Sequence, residues 1–430
     1  MKNVKGWNRQ VERPGLAYNK EGHFTEPVTE RLLSVFLIFR FNMKFFDSSS
    51  PLAIALKKFM TNPVGMMAMS FVMLISVIAV FAYWVVPDYT PDGNRQILEI
   101  STQKPGFSCR FLVVPKDDEI EESGLMNRLL SGRSDEVTFY PLTSYRFVGD
   151  SMYITLFESE TEIKPIEQGF LLHEVFRESS EIGKYMIVDA RKIIQAQIVK
   201  NQIITKRFLF GTDQFGRDLL SRLLIGSRIS LAVGFISVFI SLLVGVFLGS
   251  LAGYFRGRTD DLIVWFINVV WSVPTLLMVI AITFALGKGF WQVFVAVGLT
   301  MWVEVARVVR GQIISIREKE FVEAGKALGY SDVRIISRHI LPNVMSSVIV
   351  ISAANFASAI LIEAGLSFLG LGIQPPTPSW GGMLKENYAF ILLDAAYLAL
   401  LPGIAIMLLV LAFMLIGNAL RDALDVKMSG

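Results

Sequence analysis

Few side chains in this sequence have the type and spacing of a catalytic or metal site. Its three histidines, His23, His173 and His339, lie far apart and show no HExxH spacing. The single cysteine, Cys109, excludes an intrachain disulfide and a cysteine-based metal cluster. We therefore expect no metal, no cofactor and no residue that performs bond chemistry.

One stretch has the glycine spacing of a nucleotide-binding loop. The segment "GTDQFGRD", residues 211–218, follows the pattern GxxxxGK[ST] only in part. Arg217 takes the place of the lysine, and Asp218 puts an anion where a hydroxyl would bind magnesium. We expect Asp218 instead to cap a short amphipathic helix, "LLSRLLIG", lying on the external surface of the membrane. No other phosphate loop is visible, so the chain is not expected to hydrolyse ATP by itself.

A second polar stretch, "EAGKALGYSDVRIISRHILPN" at residues 323–343, has the pattern of two helices. The apolar face of the first helix is expected at Phe321, Ala324 and Leu328, which recur at helical spacing. Gly329 is placed to end this helix in a left-handed conformation. The stretch therefore predicts a rigid element rather than a simple connecting loop.

The second helix of this stretch is expected to begin at a cap and to end at a proline. Ser331 can cap it, its apolar face is expected at Val333, Ile336 and Ile340, and Pro342 is expected to stop it. Two such helices suit docking into a groove of a partner protein or resting on lipid headgroups. Spacing alone leaves both interpretations open.

Composition places these elements in a membrane protein. Hydrophobic residues make up 53% of the chain, charged residues 18%, and the mean hydropathy is +0.50. Soluble domains carry roughly 25% charged residues, and a membrane-crossing helix needs roughly 20 apolar residues. Apolar runs predict six spans, five of them at residues 65–86, 229–254, 262–286, 344–370 and 395–418. The fourth span is predicted to begin with residues 290–303. Three tryptophans near span ends are expected to be interfacial anchors: Trp84, Trp291 and Trp380.

The chain then divides into five regions. Residues 1–64 are expected to form a basic cytoplasmic or interfacial leader, 65–86 the first span, 87–206 an α+β insert, 207–425 a transmembrane core with helices 2–6 and a cytoplasmic loop at 306–343, and 426–430 a cytoplasmic tail. Short-loop lysines and arginines concentrate between spans two and three and between spans four and five. The positive-inside rule places both termini in the cytoplasm and the insert outside.

A few polar residues fall inside the apolar runs. Glu363 could line a substrate path or an outer gate, or could pair with a neighbouring helix, and both interpretations stay open. Glu304 and Arg307, at i and i+3, are expected to form a structural ion pair. Three more residues could face a translocation path: Asn268, Pro274 (also a predicted kink) and Asn355.

Ordered motifs in the second half of the chain resemble a known family. "EAGKALG", followed after nine residues by "HILP", resembles the EAA loop of ABC-importer permeases. "GTDQFGRDLLSR", "GYFRGRTDD", "LSFLGLG" and "PSWG" are similar to the dipeptide and oligopeptide (and nickel) importer family, C-type subunit. The resemblance covers about residues 208–425. Gly325 departs from the second alanine of the pattern and His339 from its isoleucine, and the insert has no counterpart in the usual subunit.

The resemblance implies an all-α polytopic membrane protein with six transmembrane helices of the type I ABC importer kind. Here it carries an α+β extracytoplasmic insert between helices 1 and 2. It implies that residues of the polar stretch couple the chain to an ATP-binding subunit: Glu323, Ala324, Gly325, Gly329, His339, Leu341 and Pro342. Implied partners are a second permease subunit, two ATP-binding cassette subunits, an extracytoplasmic substrate-binding protein and membrane lipid, in a bacterial inner membrane. The net charge of +3 gives no indication of nucleic-acid binding.

The resemblance further implies import of di- or oligopeptides by alternating access. Alternatives are a permease for nickel or another small solute, and a membrane-anchored receptor that acts through the external insert. A secondary transporter would be expected to show an internal repeat and buried ionisable residues near the midplane. The insert could dock the binding protein, narrow the substrate range or pack against the partner permease.

Overall fold

The structure is a computed structural model that describes residues 51–116, 124–157, 166–175, 188–287 and 289–424. Most of the basic leader, including an apolar stretch at 31–46, and the tail at 426–430 lie outside the described residues. Helix α1, Pro51–Thr61, is the first described element.

Within the described ranges, the first helix long and apolar enough to cross a membrane is α2, Pro63–Val80. It begins where the side chain of Asn62 accepts a hydrogen bond from the amide of Gly65 at 3.0 Å. Gly65 also permits close helix packing, because a Cβ atom there would lie 2.6 Å from the Cβ of Ala419 in the last helix. A short helix, α3, Ala82–Val85, follows.

The insert is built on an antiparallel sheet. Its elements in chain order are β1 Phe107–Pro115, α4 Leu125–Ser131, β2 Val137–Val148, β3 Ser151–Leu156, β4 Glu167–Leu171, α5 Leu172–Val175, α6 Val188–Asn201 and β5 Ile203–Phe208. The five strands lie in the order β4-β3-β2-β1-β5. Leu112, Met152 and Ile154 of the strands pack with Ile198 of α6 in a small apolar core. The predicted α+β insert is therefore confirmed.

The next helix, α7, Leu219–Phe255, is continuous over 37 residues. Asp218 caps it, accepting a hydrogen bond from the amide of Ser221 at 2.9 Å. The prediction of a separate amphipathic helix on the membrane surface is wrong. Arg222 and Ile225 are buried against neighbouring protein, so these residues are the first turns of the second span.

The third span is broken. Helices α8, Gly257–Trp271, and α9, Thr275–Leu286, meet at a bend of 91°. Pro274 lies at this bend, where a proline cannot supply the N–H that a continuous helix requires. Helix α10, Phe290–Arg317, follows. The described residues thus hold five continuous helices that could span a membrane, or six spans with the bent pair, and the predicted fold class is confirmed.

A short helix, α11, Glu320–Ala327, precedes the fifth span, which begins with α12, Asp332–Arg334. A π-helical turn at Ile335–Ile340 then joins α12 to α13, Leu341–Phe368, so the chain stays helical throughout. The prediction that Pro342 stops the second helix is therefore wrong.

The wide π turn explains how the proline is accommodated. The amide of Leu341 bonds to the carbonyl of Ile336, five residues back, instead of four. The side-chain amide of Asn343 donates to the carbonyl of His339 at 2.7 Å. A proline in this widened turn does not break the helix.

The last helices are α14, Trp380–Asn387, and α15, Tyr397–Leu424. Phe413 of α15 stacks on Phe356 of α13, with ring centroids 3.8 Å apart, inside a core shared with α2 and α7. The expectation that Trp380 anchors at the membrane interface is wrong. Its side chain is buried, and its indole N–H donates to the carbonyl of Leu223 at 2.8 Å.

Candidate coupling surface and transmembrane cavity

The polar stretch between α10 and α13, residues 320–343, is named here the coupling segment. Its inner side is apolar: Val322, Ile335 and Ile340 are buried in one cluster with Val309 and Ile313 of α10. This cluster fixes α11 and the start of the fifth span to the ends of the neighbouring spans. The coupling segment is therefore packed as part of the helical core.

The outer side of the coupling segment carries apolar residues that no described residue covers. Phe321, Leu328 and Val333 are 41%, 70% and 75% exposed. The sequence predicted an apolar face at Phe321, Ala324 and Leu328, and all three residues are exposed in the structure. Val322 and Gly325 lie inside instead, one position along, because only that face meets Ile335.

The turn between the two helices has the geometry of a Schellman motif. The amide of Gly329 donates to the carbonyl of Lys326 at 2.9 Å, and that of Tyr330 to the carbonyl of Gly325 at 3.1 Å. Gly329 has a φ of +78°, the left-handed region that favours glycine. In the part of the chain that the structure describes, no atom outside the adjoining residues lies within 4 Å of the position its Cβ would take, so backbone conformation alone is the constraint.

Side-chain contacts hold the turn in place. The hydroxyl of Tyr254, at the end of α7, donates to a carboxylate oxygen of Asp332 at 2.5 Å. The rings of His339 and Tyr330 stack with their centroids 5.8 Å apart. The guanidinium carbon of Arg334 lies 4.1 Å from the ring centroid of Tyr330. The expected capping bond from the Ser331 side chain does not form.

The remaining predicted coupling residues divide between the two sides. Glu323, Ala324 and Pro342 are exposed, whereas Leu341 is half-buried. A Cβ atom on Gly325 would lie 3.6 Å from Tyr330 and 3.8 Å from Ile335, which is ordinary contact. The second alanine of the family pattern would therefore fit at this position.

Beside the bend in the third span lies a cavity of about 320 Å³. Residues of α8, α9, α10 and α13 line it, among them Trp271, Thr275, Met278, Thr300, Glu304 and Ser358. The broken span thus opens a space between four helical segments. Broken helices that line a cavity are where transporters commonly hold their substrates.

Most of the residues predicted for a translocation path do not line this cavity. Asn268 is exposed on α8, and Asn355 is buried within α13. Pro274 makes the bend between two lining residues, Val273 and Thr275. Sequence reasoning treated Glu304 only as one half of an ion pair, so the carboxylate in the cavity was missed.

Glu363 lies away from the cavity and is 1% exposed. The hydroxyl of Ser367 donates to one of its carboxylate oxygens at 2.7 Å, and Ser379 lies 3.3 Å from Ser367. This arrangement ties α13 to the turn before α14, which fits the structural alternative that the sequence left open.

On the insert side, two buried arginines share two carboxylates. Arg217 contacts Asp213 at 2.6 Å and Glu386 at 2.8 Å, and Arg222 lies 3.5 Å from Glu386. Gly216 lies in the tight turn before Arg217. Only glycine fits there without a shift, because a Cβ atom would clash with the carbonyl of Ile97. Arg217 of "GTDQFGRD" therefore belongs to a buried ion-pair network, which the sequence did not predict.

Two family models match the sequence. The model described as the inner membrane component of binding-protein-dependent transport systems matches residues 245–430. The model described as the N-terminal TM domain of oligopeptide transport permease C matches residues 50–105. Residues 106–244, which hold the whole sheet, are matched by neither.

Individual relatives agree with these matches. The glutathione transport system permease protein GsiD of Escherichia coli O157:H7 is 45% identical over 221 residues, 51% of this chain and 73% of that protein. The protein of the same description from Pectobacterium atrosepticum is 42% identical over 218 residues, 51% of this chain and 72% of the relative. Among solved structures, the chain is similar to an inward-facing MetNI methionine ABC transporter, with 19% identity and a TM-score of 0.41. The match covers 48% of this chain and 96% of the transporter's chain.

Proposed function

The chain belongs to the family of inner-membrane components of binding-protein-dependent transport systems, and we propose that its coupling segment receives the movement of a separate ATP-binding subunit. As a member of this family it is a multi-pass permease subunit of an ABC importer, and the function predicted from the sequence is confirmed at that level. Importers of this kind work with ATP-binding subunits and a binding protein. The proposal concerns which surface of this chain meets the ATP-binding subunit.

The exposed apolar side of the coupling segment carries the proposal. Phe321, Leu328 and Val333 project from a surface that also bears the carboxylate of Glu323. Exposed apolar patches with a polar rim are typical of protein interfaces, and a short amphipathic helix commonly binds in a partner's groove. A helix resting on lipid would not need the rigid turn that follows it.

The rigidity of the coupling segment supports the same assignment. The Schellman turn, the Tyr254–Asp332 hydrogen bond and the buried cluster tie the segment to three spans. A displacement of the exposed face would therefore move α7, α10 and α13 together. Such rigid-body transmission is what a transporter driven by a separate motor subunit requires.

The proposed complex has two permease subunits, two ATP-binding subunits and an external substrate-binding protein. Both termini lie in the cytoplasm and the insert lies outside, as the distribution of short-loop arginines indicates. The proposed substrates are di- or oligopeptides, supported by relatives described as permeases for glutathione, a small peptide. Transport proceeds by alternating access, with ATP hydrolysis in the partner subunits.

Replacing Gly329 by valine tests the role of the coupling segment. Valine at a φ of +78° is strained by an amount on the order of 1–3 kcal/mol, so the turn is expected to leave its Schellman geometry. Gly329→Val should reach the membrane at wild-type abundance but lose substrate uptake and substrate-stimulated ATPase activity. Both activities are measured on the assembled complex in proteoliposomes.

Gly311→Val is the matched control. Gly311 lies on α10 in ordinary helical conformation, with open space at its Cβ position. This variant should keep uptake and ATPase activity. Normal uptake and ATPase activity in Gly329→Val, at wild-type abundance, would contradict the proposed coupling role.

A further inference from the structure

The cavity at the bend of the third span contains the carboxylate of Glu304. Glu304 lies in the middle of α10, and its side chain is exposed. Among the described residues, no ion pair within 4.0 Å and no hydrogen bond involves it. The ion pair predicted with Arg307 does not form. The guanidinium carbon of Arg307 instead lies 3.5 Å from the ring centroid of Trp271.

A charged carboxylate at this position is costly if it faces lipid. Intramembrane acidic residues almost always face a water-filled cavity or another charged group. Glu304 lies 14 residues into α10, a helix of 28 residues, and one wall of the cavity is the broken span. The side of α10 that bears Glu304 is therefore expected to face the transport path.

Further polar groups line the same cavity. Thr275 at the start of α9 and Ser358 on α13 carry hydroxyls that take part in none of the hydrogen bonds among the described residues. Trp271 adds an aromatic wall. The indole of Trp271 already carries the Arg307 guanidinium on its ring, so the polar groups left for a ligand are a carboxylate and two hydroxyls. That combination binds an ammonium group by ion pairing and hydrogen bonds.

The size of the cavity limits what it can hold. Its volume of about 320 Å³ is at the lower end of the range for small-molecule sites. A terminal amine with one or two residues attached would fit, whereas a folded protein segment would not.

We infer that Glu304 is a specificity-determining residue that binds the ammonium group of the transported ligand, in a subsite completed by Thr275 and Ser358. This inference rests on the proposed function, because it assigns the cavity to the transport path. It narrows the substrate class to molecules with a free primary ammonium group, as in peptides with an unmodified N-terminus.

Ligand binding to the assembled complex tests the inference. The full-length permease with its partner permease and ATP-binding subunits is placed in nanodiscs without the external binding protein, whose own selectivity would obscure the result. Dialanine and N-acetyldialanine, which differ in the ammonium group, are titrated by calorimetry. Wild type should bind dialanine at least tenfold more tightly, as expected for one charge-assisted contact.

Glu304→Gln should bind both compounds with similar affinity, and Glu304→Asp should keep part of the preference. Glu318→Gln is the control. Glu318 lies just beyond the C-terminal end of α10, away from the cavity lining, and pairs with Arg256 at an exposed site. It should bind as wild type does. The tenfold preference should therefore disappear only when the carboxylate in the cavity is removed.

Three results would overturn the inference. They are an undiminished ammonium preference in Glu304→Gln, no binding of dialanine to the wild-type complex that imports it, or a failure of Glu304→Gln to assemble with the partner permease. The last would show that Glu304 pairs with a cation of the partner permease. Absence of an ATP-binding subunit from the purified complex would instead refute the proposed function, so the two failures are distinguishable.

Discussion

Charged residues in two regions of this protein have opposite surroundings. On the insert side, Arg217 is 3% exposed and contacts both Asp213 and Glu386. In the cavity beside the broken span, Glu304 is exposed and unpaired among the described residues. Charges that hold a fold together receive partners within the fold, and a charge without one is available to a ligand. The following predictions test this contrast, beginning with the largest expected effect.

Arg217→Met should destabilise the protein most. The change leaves Asp213 and Glu386 without their closest cation, and removing one partner from a buried ion pair costs about 3–5 kcal/mol. The measurement is the thermal unfolding midpoint of the purified chain. Arg146→Met, which removes an exposed partner of Glu167, should cost less than about 1 kcal/mol. Equal midpoints for the two variants would show that the buried network is not structural.

Lys206 provides a test of a charge that is partly buried in the insert. Its ammonium lies 4.1 Å from the ring centroid of Phe139, and burial, together with nearby Arg95, lowers the pKa of Lys206 to about 8. The unfolded chain, with a lysine pKa near 10.5, binds more protons than the folded chain between these two values. Wild-type stability should therefore rise with pH across this window.

Lys206→Met should remove this pH dependence. Relative to wild type, the variant gains most stability below pH 8, and the gain should shrink as pH rises towards 10.5. Unfolding midpoints of both proteins between pH 7 and 10.5 give the comparison, with the exposed Lys104→Met as control. A difference between Lys206→Met and wild type that does not change with pH would contradict the assignment.

Gly325→Ala should stabilise the coupling segment by about 0.5–1 kcal/mol. Alanine reduces the freedom of the unfolded chain, and its methyl would make ordinary contacts with Tyr330 and Ile335. The unfolding midpoint should rise and uptake should persist. Gly329→Ala should instead lower the midpoint, because its φ of +78° strains any residue with a Cβ. A lower midpoint for Gly325→Ala would mean that the methyl does not fit.

Glu304→Gln should change stability least, by less than about 0.5 kcal/mol, because no contact among the described residues is lost. The measurement is the same unfolding midpoint, compared directly with that of Arg217→Met. A large loss of stability in Glu304→Gln would remove the contrast between paired and unpaired charges.

The coupling segment shows which features the sequence could predict. Gly329 was identified correctly as a left-handed residue, since glycine at that position of a helical pattern depends on local geometry alone. The sequence did not predict the buried side of the helix, because Val322 and Gly325 lie inside through their contact with Ile335, a tertiary contact. Pro342 was misjudged because a π-helical turn admits it, and nothing in the spacing indicates such a turn.

The cavity shows the same limit on what a single sequence can predict. Pro274 predicted the break in the third span correctly, because a proline acts on its own helix. The expected Glu304–Arg307 pair follows from helical spacing, yet Arg307 stacks on Trp271 of another helix. Likewise, the contact between Arg217 and Glu386 joins residues 169 positions apart, which one sequence without an alignment does not reveal.

Cross-linking from the exposed side of the coupling segment tests the central claim most directly. Cys109 is the single cysteine, and burial raises the pKa of its thiol to about 11, so background reaction is small even before it is replaced by serine. Leu328→Cys in a Cys109→Ser background should cross-link to the ATP-binding subunit in membranes, with a yield that changes when ATP is added. Glu136→Cys, on the insert, should not. An assembled complex in which Leu328→Cys gives no cross-link to the ATP-binding subunit would contradict the account.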